Sequence, residues 1–227
     1  MKPPEHAYKI GSCIWALAAL TVIFTAGALA GTDWEEEKIT RDGIFVYSRN
    51  TAGTTIREVR AKMTVDAPPA VVLEAACDPK TFKDTIDKYV KKNAYYKVGD
   101  PNVWYNYQLL DFPVVAKRDY CLRYEKTVIP EKSIYELRWQ VSNRFGPPPQ
   151  KDVVRVTLVK GRLSVKPTKN GKGSIFRYTM VADPGGKIPD WIINLANRTS
   201  LPNILREIRD ASLKKAKSQT TLLSTAK

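Results

Sequence analysis

Side chains able to carry proton transfer, nucleophilic attack or metal ligation are few in this sequence. It has a single histidine, His6, and three cysteines, Cys13, Cys77 and Cys121. Two of these, His6 and Cys13, fall within residues 1–30, so the rest of the chain holds two thiols and no imidazole. Without imidazole no Ser-His-Asp triad, Cys-His dyad or histidine general base can be built. Zinc sites with histidine ligands are excluded, as are sites with four cysteine ligands. No metal or other cofactor is expected, and acid-base work would fall to tyrosine, carboxylate or arginine. Arg118 and Asp119 are adjacent, and because a buried charge needs a partner they read as a structural ion pair. Arg123 and Arg177 lie in strand-like runs rich in aromatic residues. An inward arginine there would hydrogen-bond a ligand hydroxyl or phosphate, whereas an outward one would be ordinary surface charge. Trp104, Tyr105, Tyr107, Tyr124, Trp139 and Tyr178 offer flat apolar walls. Strand alternation sends half of them away from any one cavity, and the sequence leaves open which half.

The N-terminal segment constrains where such chemistry would operate. Lys2 and Lys9 flank a short polar start, Ile10 to Ala30 carries no charge, and Ala28-Leu29-Ala30 precedes Gly31. This is the layout of a secretory signal peptide, although the apolar run is also long enough for a retained membrane anchor. Either way residues 31–227 are expected to be exported, periplasmic or secreted. In an oxidising compartment Cys77 and Cys121 could pair as a disulfide or stay small buried hydrophobes. Removing Lys2, Lys9 and Glu5 lowers the net charge of +14 by only one. Such a basic chain could dock on an anionic membrane surface, or its lysines could simply be solvated. A nucleic-acid partner is not expected for an exported domain without a nucleic-acid motif.

Hydrophobic residues make up 43% of the chain, which argues for a folded core. Residues 34–42 predict a short helix leading into a strand at 44–49. Ile56 to Val65 alternates, with Val59, Ala61, Met63 and Val65 on one side. Asp66-Ala67-Pro68-Pro69 reads as an N-cap followed by prolines in a first helical turn. Helical spacing then continues from Ala70 to Lys92, with a break at Asp78-Pro79. Beyond it the period is two, predicting strands over 94–98, 103–110, 118–128, 134–142, 153–166 and 174–182. A final helical stretch runs over 187–217, interrupted at Ser200-Leu201-Pro202, with a frayed tail at 218–227. Grouped strands rather than β-α alternation indicate an α+β domain over 31–217 with a meandering antiparallel sheet.

Four stretches resemble the START domain family of lipid-transfer proteins, in the family's order. They are Lys117-Arg118-Asp119-Tyr120 after Phe112-Pro113, Val154-Arg155-Val156 leading to Gly161–Pro167, Asp183-Pro184-Gly185-Gly186-Lys187-Ile188-Pro189-Asp190-Trp191-Ile192-Ile193-Asn194, and Thr199-Ser200-Leu201-Pro202. Leu163 departs from the pattern, since many relatives carry Trp there. The resemblance implies a helix-grip fold: a curved antiparallel sheet wrapped around a long C-terminal helix, with a hydrophobic tunnel between them. It also implies a gating loop at Ser142–Asp152, where Phe145 offers an apolar contact, and a tunnel face on the last helix carrying Trp191, Asn194, Leu195 and Arg198. The candidate ligand-binding set is therefore Tyr105, Tyr107, Arg123, Tyr124, Trp139, Phe145, Arg177, Tyr178, Trp191, Asn194, Leu195 and Arg198, with no catalytic residue.

The function expected from this reading is a noncatalytic carrier, a monomer that holds one sterol or phospholipid and exchanges it at membranes. An enzyme of the polyketide cyclase or aromatase kind is the alternative on the same fold, and a lipid-sensing module is a third.

Overall fold

The computed structural model describes residues 33–51, 56–82, 89–97, 99–186, 188 and 201–225. The expected N-terminal export or anchor segment and the expected helix face at Trp191, Asn194, Leu195 and Arg198 lie outside them. Ten strands form one sheet: β1 (Glu35–Ile39), β2 (Phe45–Asn50), β3 (Arg57–Val65), β4 (Val90–Lys97), β5 (Val103–Leu110), β6 (Lys117–Ile129), β7 (Ile134–Val141), β8 (Val153–Arg155), β9 (Leu158–Pro167) and β10 (Ser174–Asp183). Their order across the sheet is β1-β2-β3-β10-β9-β7-β6-β5-β4, and β8 joins β6 as a short parallel strand. The other pairings are antiparallel. Among the described residues two α-helices, α1 (Pro69–Cys77) and α2 (Leu201–Thr225), pack on one face, which we call the inner face.

Alternation decides which residues meet those helices. In β3 the buried positions include Val59, Ala61, Met63 and Val65, and in β10 they include Phe176, Tyr178, Met180 and Ala182. Helix α1 starts at Pro69, where the missing N–H would be unpaired in any helix, and Pro68 rather than Asp66 takes the cap position. It packs across β7, β9 and β10 and buries Val71, Val72, Leu73, Ala75 and Ala76. Helix α2 lies on α1 and β3, burying Leu201, Ile204, Leu205 and Ile208 at helical spacing. Its tie to the β1–β2 turn is ionic: Asp42 accepts hydrogen bonds from Arg206 at 2.9 Å and Arg209 at 2.7 Å. Those guanidiniums, Arg206 first, hold the Asp42 carboxyl far below the ordinary carboxylate range.

Three local expectations change. Residues 35–39 form an edge strand instead of a helix, because Arg57 draws Glu35 and Glu37 to one side, at 2.5 and 3.2 Å. Helix α1 ends at Cys77, before Pro79, and the stretch that was expected to stay helical to Lys92 is already in β4 from Val90. At the C-terminus α2 continues to Thr225, past the expected frayed tail, with the Ser218, Thr220 and Thr221 hydroxyls donating to carbonyls four residues back. No helix among the described residues is long and apolar enough to cross a membrane.

Candidate ligand site on the inner face

The Arg118-Asp119 pair organises both faces, though not as an ion pair between neighbours. Both are buried, at 2% and 1% exposure, but adjacent strand residues point to opposite sides. Arg118 donates to the carbonyls of Ala116, Pro184 and Gly185 at 2.5, 3.2 and 3.2 Å. Burial holds its pKa below that of a free arginine. The carbonyls can converge on it because Gly185 and Gly186 both take φ of +67, where a side chain would be strained. Arg118 thus ties the end of β10 to the start of β6.

Asp119 serves the outer face. It accepts a bidentate pair from Arg155 at 2.6 and 2.8 Å and a hydrogen bond from the Tyr107 hydroxyl at 3.0 Å. Its carboxylate in turn raises the Arg155 pKa. Arg155 also donates to the Pro147 carbonyl, and Gln150 donates to the Tyr107 hydroxyl. Asn143 accepts from the Cys121 amide and donates to the Val156 carbonyl. These bonds lace residues 142–152 onto the outer face, with the Phe145 ring 4.0 Å from that of Tyr105. The expected gating loop is thus laced to the side of the sheet away from α1 and α2. Cys121 lies beneath it as a free thiol, and Cys77 at the end of α1 is free as well, so no disulfide joins them. Burial pushes both thiols up to about 12.

The inner face carries a row of rings. Trp104 and Tyr124 stack at 5.4 Å between centroids, Tyr124 and Trp139 lie at 6.3 Å, and Trp139 and Tyr178 at 5.2 Å. The row depends on Gly161, opposite Trp139, since a Cβ there would overlap the indole ring. Leu163, the departure from the family pattern, fills the inner face fully buried between Leu137 and Tyr178 in the register.

Polar groups interrupt this apolar surface on β4 and β5. Asn106 and Gln108 are both 0% exposed. The Asn106 amide donates to Asn93 Oδ1 at 2.6 Å and to the Ala94 carbonyl, while Gln108 Oε1 accepts from Tyr120 at 2.6 Å. Asn106 Oδ1, Gln108 Nε2 and Asn93 Nδ2 are left without partners. A buried polar atom without a partner costs about 1–3 kcal/mol, so three in one patch call for a ligand or water to meet them. Burial holds the Tyr120 and Tyr178 phenols well above the usual tyrosine range, which makes them hydrogen-bond donors rather than bases.

Of the expected site residues, Tyr124, Trp139 and Tyr178 come together on the inner face. Tyr105, Tyr107, Arg123, Phe145 and Arg177 are brought to the outer one. Strand parity turns the first three and Arg177 away from the helices, and Phe145 follows through its packing on Tyr105. Arg123 pairs with Glu125 at 2.6 Å. Asn93, Asn106 and Gln108 were missed; the signal was two amides spaced by two on the same side as Trp104 and Leu110. Among the described residues no cluster of His, Cys, Asp or Glu could hold a metal ion.

An antiparallel sheet carrying a long C-terminal helix over a ring-lined face is the helix-grip arrangement. A profile of the START domain family matches residues 14–219. Human phosphatidylcholine transfer protein is 26% identical over 187 residues, covering 81% of this chain and 86% of its own. A solved STAR-related lipid transfer protein fragment from Xanthomonas axonopodis is 25% identical, with a TM-score of 0.64, covering 79% of this chain and 98% of that one. Human StAR-related lipid transfer protein 5 shares the fold at 12% identity, with a TM-score of 0.62 over 81% of this chain and 88% of its own. The chain belongs to the START domain family.

Proposed function

We propose that the protein is a noncatalytic lipid carrier that holds one lipid between the inner face of the sheet and its C-terminal helix and exchanges it at membranes. Family membership and lipid-transfer relatives support a lipid-binding or lipid-transfer role in general. The observation that carries the finer reading is the set of unpartnered amide atoms on Asn93, Asn106 and Gln108, within a face otherwise built of rings and aliphatic side chains. Such a surface suits a molecule with a long apolar body and a small polar part that both donates and accepts. Each methylene taken out of water contributes about 0.8 kcal/mol, so an acyl chain or sterol ring system supplies most of the affinity and the amides supply orientation. The phosphatidylcholine carried in a relative's name favours a phospholipid over a sterol.

Export follows from the proposed role of residues 1–30 as a signal peptide or anchor, and the domain would then work as a monomer beside a membrane. Native mass spectrometry of the chain, with lipidomic extraction, tests the carrier. A stoichiometric bound lipid, or uptake of one from vesicles, is expected. An empty protein that takes up neither phospholipid nor sterol would overturn the reading. N-terminal sequencing of the chain recovered from its cells tests the export segment: a start after Ala30 is expected for cleavage and an intact Met1 for an anchor.

A further inference from the structure

The outer face carries a feature that a lipid site between sheet and helix leaves unused. A groove of about 590 Å³ runs across β3, β10, β9 and β7, and its lining includes Arg60, Arg138, Lys160, Arg162, Lys166 and Arg177. The strand register sets these charges side by side. Arg138 stands directly opposite Arg162, Arg60 and Arg162 both flank Thr179, and Arg177 stands opposite Lys62. Like charges directly opposite one another destabilise a sheet.

The nearby acids neutralise only part of the set, and one of them, Glu58, lines the groove itself. Glu58 is engaged by Arg49 at 2.6 Å, and Glu136 is shared by Arg138 and Arg162. Arg60, Arg177, Lys160 and Lys166 form no ion pair among the described residues. Arg60 is held in place from the side: its guanidinium lies 3.8 Å from the centre of the Trp34 ring, and Arg49 lies 4.5 Å from the same ring. Its buried Nε has no hydrogen-bond partner. The groove thus holds a guanidinium seated against an indole ring beside a second guanidinium without an ion-pair partner among the described residues. Planar forks of this kind match phosphate oxygens, and the volume admits more than a single small ion.

We propose that this groove is a second binding site, on the face away from the lipid, for a phosphate-bearing anion held by Arg60, Arg177 and Arg162. The phosphate could belong to a soluble compound or to a lipid head group in a bilayer. Calorimetry with inorganic pyrophosphate, and co-sedimentation with phosphatidylcholine vesicles with and without phosphatidic acid, distinguish the two sources. Binding of pyrophosphate alone assigns the site to soluble phosphates; binding of phosphatidic acid vesicles alone assigns it to head groups. In either case the double substitution Arg60→Gln with Arg177→Gln weakens binding about tenfold or more. Removing the same charge from α2 with Lys214→Gln and Lys217→Gln leaves it unchanged. Should the double variant fail to fold, pyrophosphate or phosphatidic acid vesicles are expected to protect Arg60 and Arg177 of the unaltered chain from phenylglyoxal, read by peptide mass spectrometry. Equal loss in both double variants, no protection of either arginine, or no binding of either probe at physiological salt would overturn the proposal.

Discussion

The two faces of the sheet solve opposite problems with the same strands. The inner face carries a row of rings and leaves three amide atoms there without partners. Its outer counterpart keeps a field of arginines and lysines open beside a loop that covers only the β4–β6 end. The difference teaches where recognition resides in each. Inside, a few polar atoms gain force from the apolar surface around them; outside, charges act together through a solvated groove and are screened by salt.

The largest effect is expected where the faces are joined. Asp119→Ala strands Arg155 and Tyr107 and releases the loop at 142–152, a loss of about 3 kcal/mol in urea denaturation. Gly161→Val should cost about 1–3 kcal/mol by driving Trp139 off the inner face, with a red shift of its fluorescence and weaker lipid uptake. Asn106→Leu separates stability from binding. Losing the bond to Asn93 offsets removal of an unpartnered buried oxygen, so unliganded stability shifts by about 1 kcal/mol or less while vesicle uptake falls. Equal losses in stability and uptake would show that the amide is a packing element only.

Acid provides a smaller test of how α2 is held to the sheet. The Asp42 carboxyl is depressed in the folded chain, so its contribution is full at neutral pH and fades as the pH falls below its ordinary value of 3.8. Exposure and salt keep this within about 1 kcal/mol, and Asp42→Asn should flatten the acid limb of a pH-melting profile. The smallest expected effect is on the thiols. With both held at about 12, neither Cys77 nor Cys121 should react quickly with a thiol reagent at neutral pH in the native chain.

Strand parity shows how far the sequence could be read. β3 was legible because only one of its sides is covered over Ala61–Val65, so buried and exposed residues alternate. β5 and β6 were not: the 142–152 loop packs on their outer side while their inner side is buried as well, which leaves runs of consecutive buried residues with no period to follow. That is why Tyr105 and Tyr107 could not be separated from Tyr124 as candidates. The family stretches were visible as words in order, and the structure supplies their grammar. Arg118 meets Pro184 and Gly185, and Asp119 meets Arg155, so residues far apart in the chain are bonding partners. The amides at Asn106 and Gln108 went unread because polar residues in a strand ordinarily mark its wet side.

The opposed directions of Arg118 and Asp119 make their order, and not only their presence, a requirement. Exchanging the two would preserve composition, charge and strand propensity. It would nevertheless set a carboxylate among the carbonyls of Ala116, Pro184 and Gly185, and a guanidinium against Arg155. A permutation invisible to any count of residues would thus be among the least tolerated changes in the chain, because a strand reads its sequence left and right as well as forward.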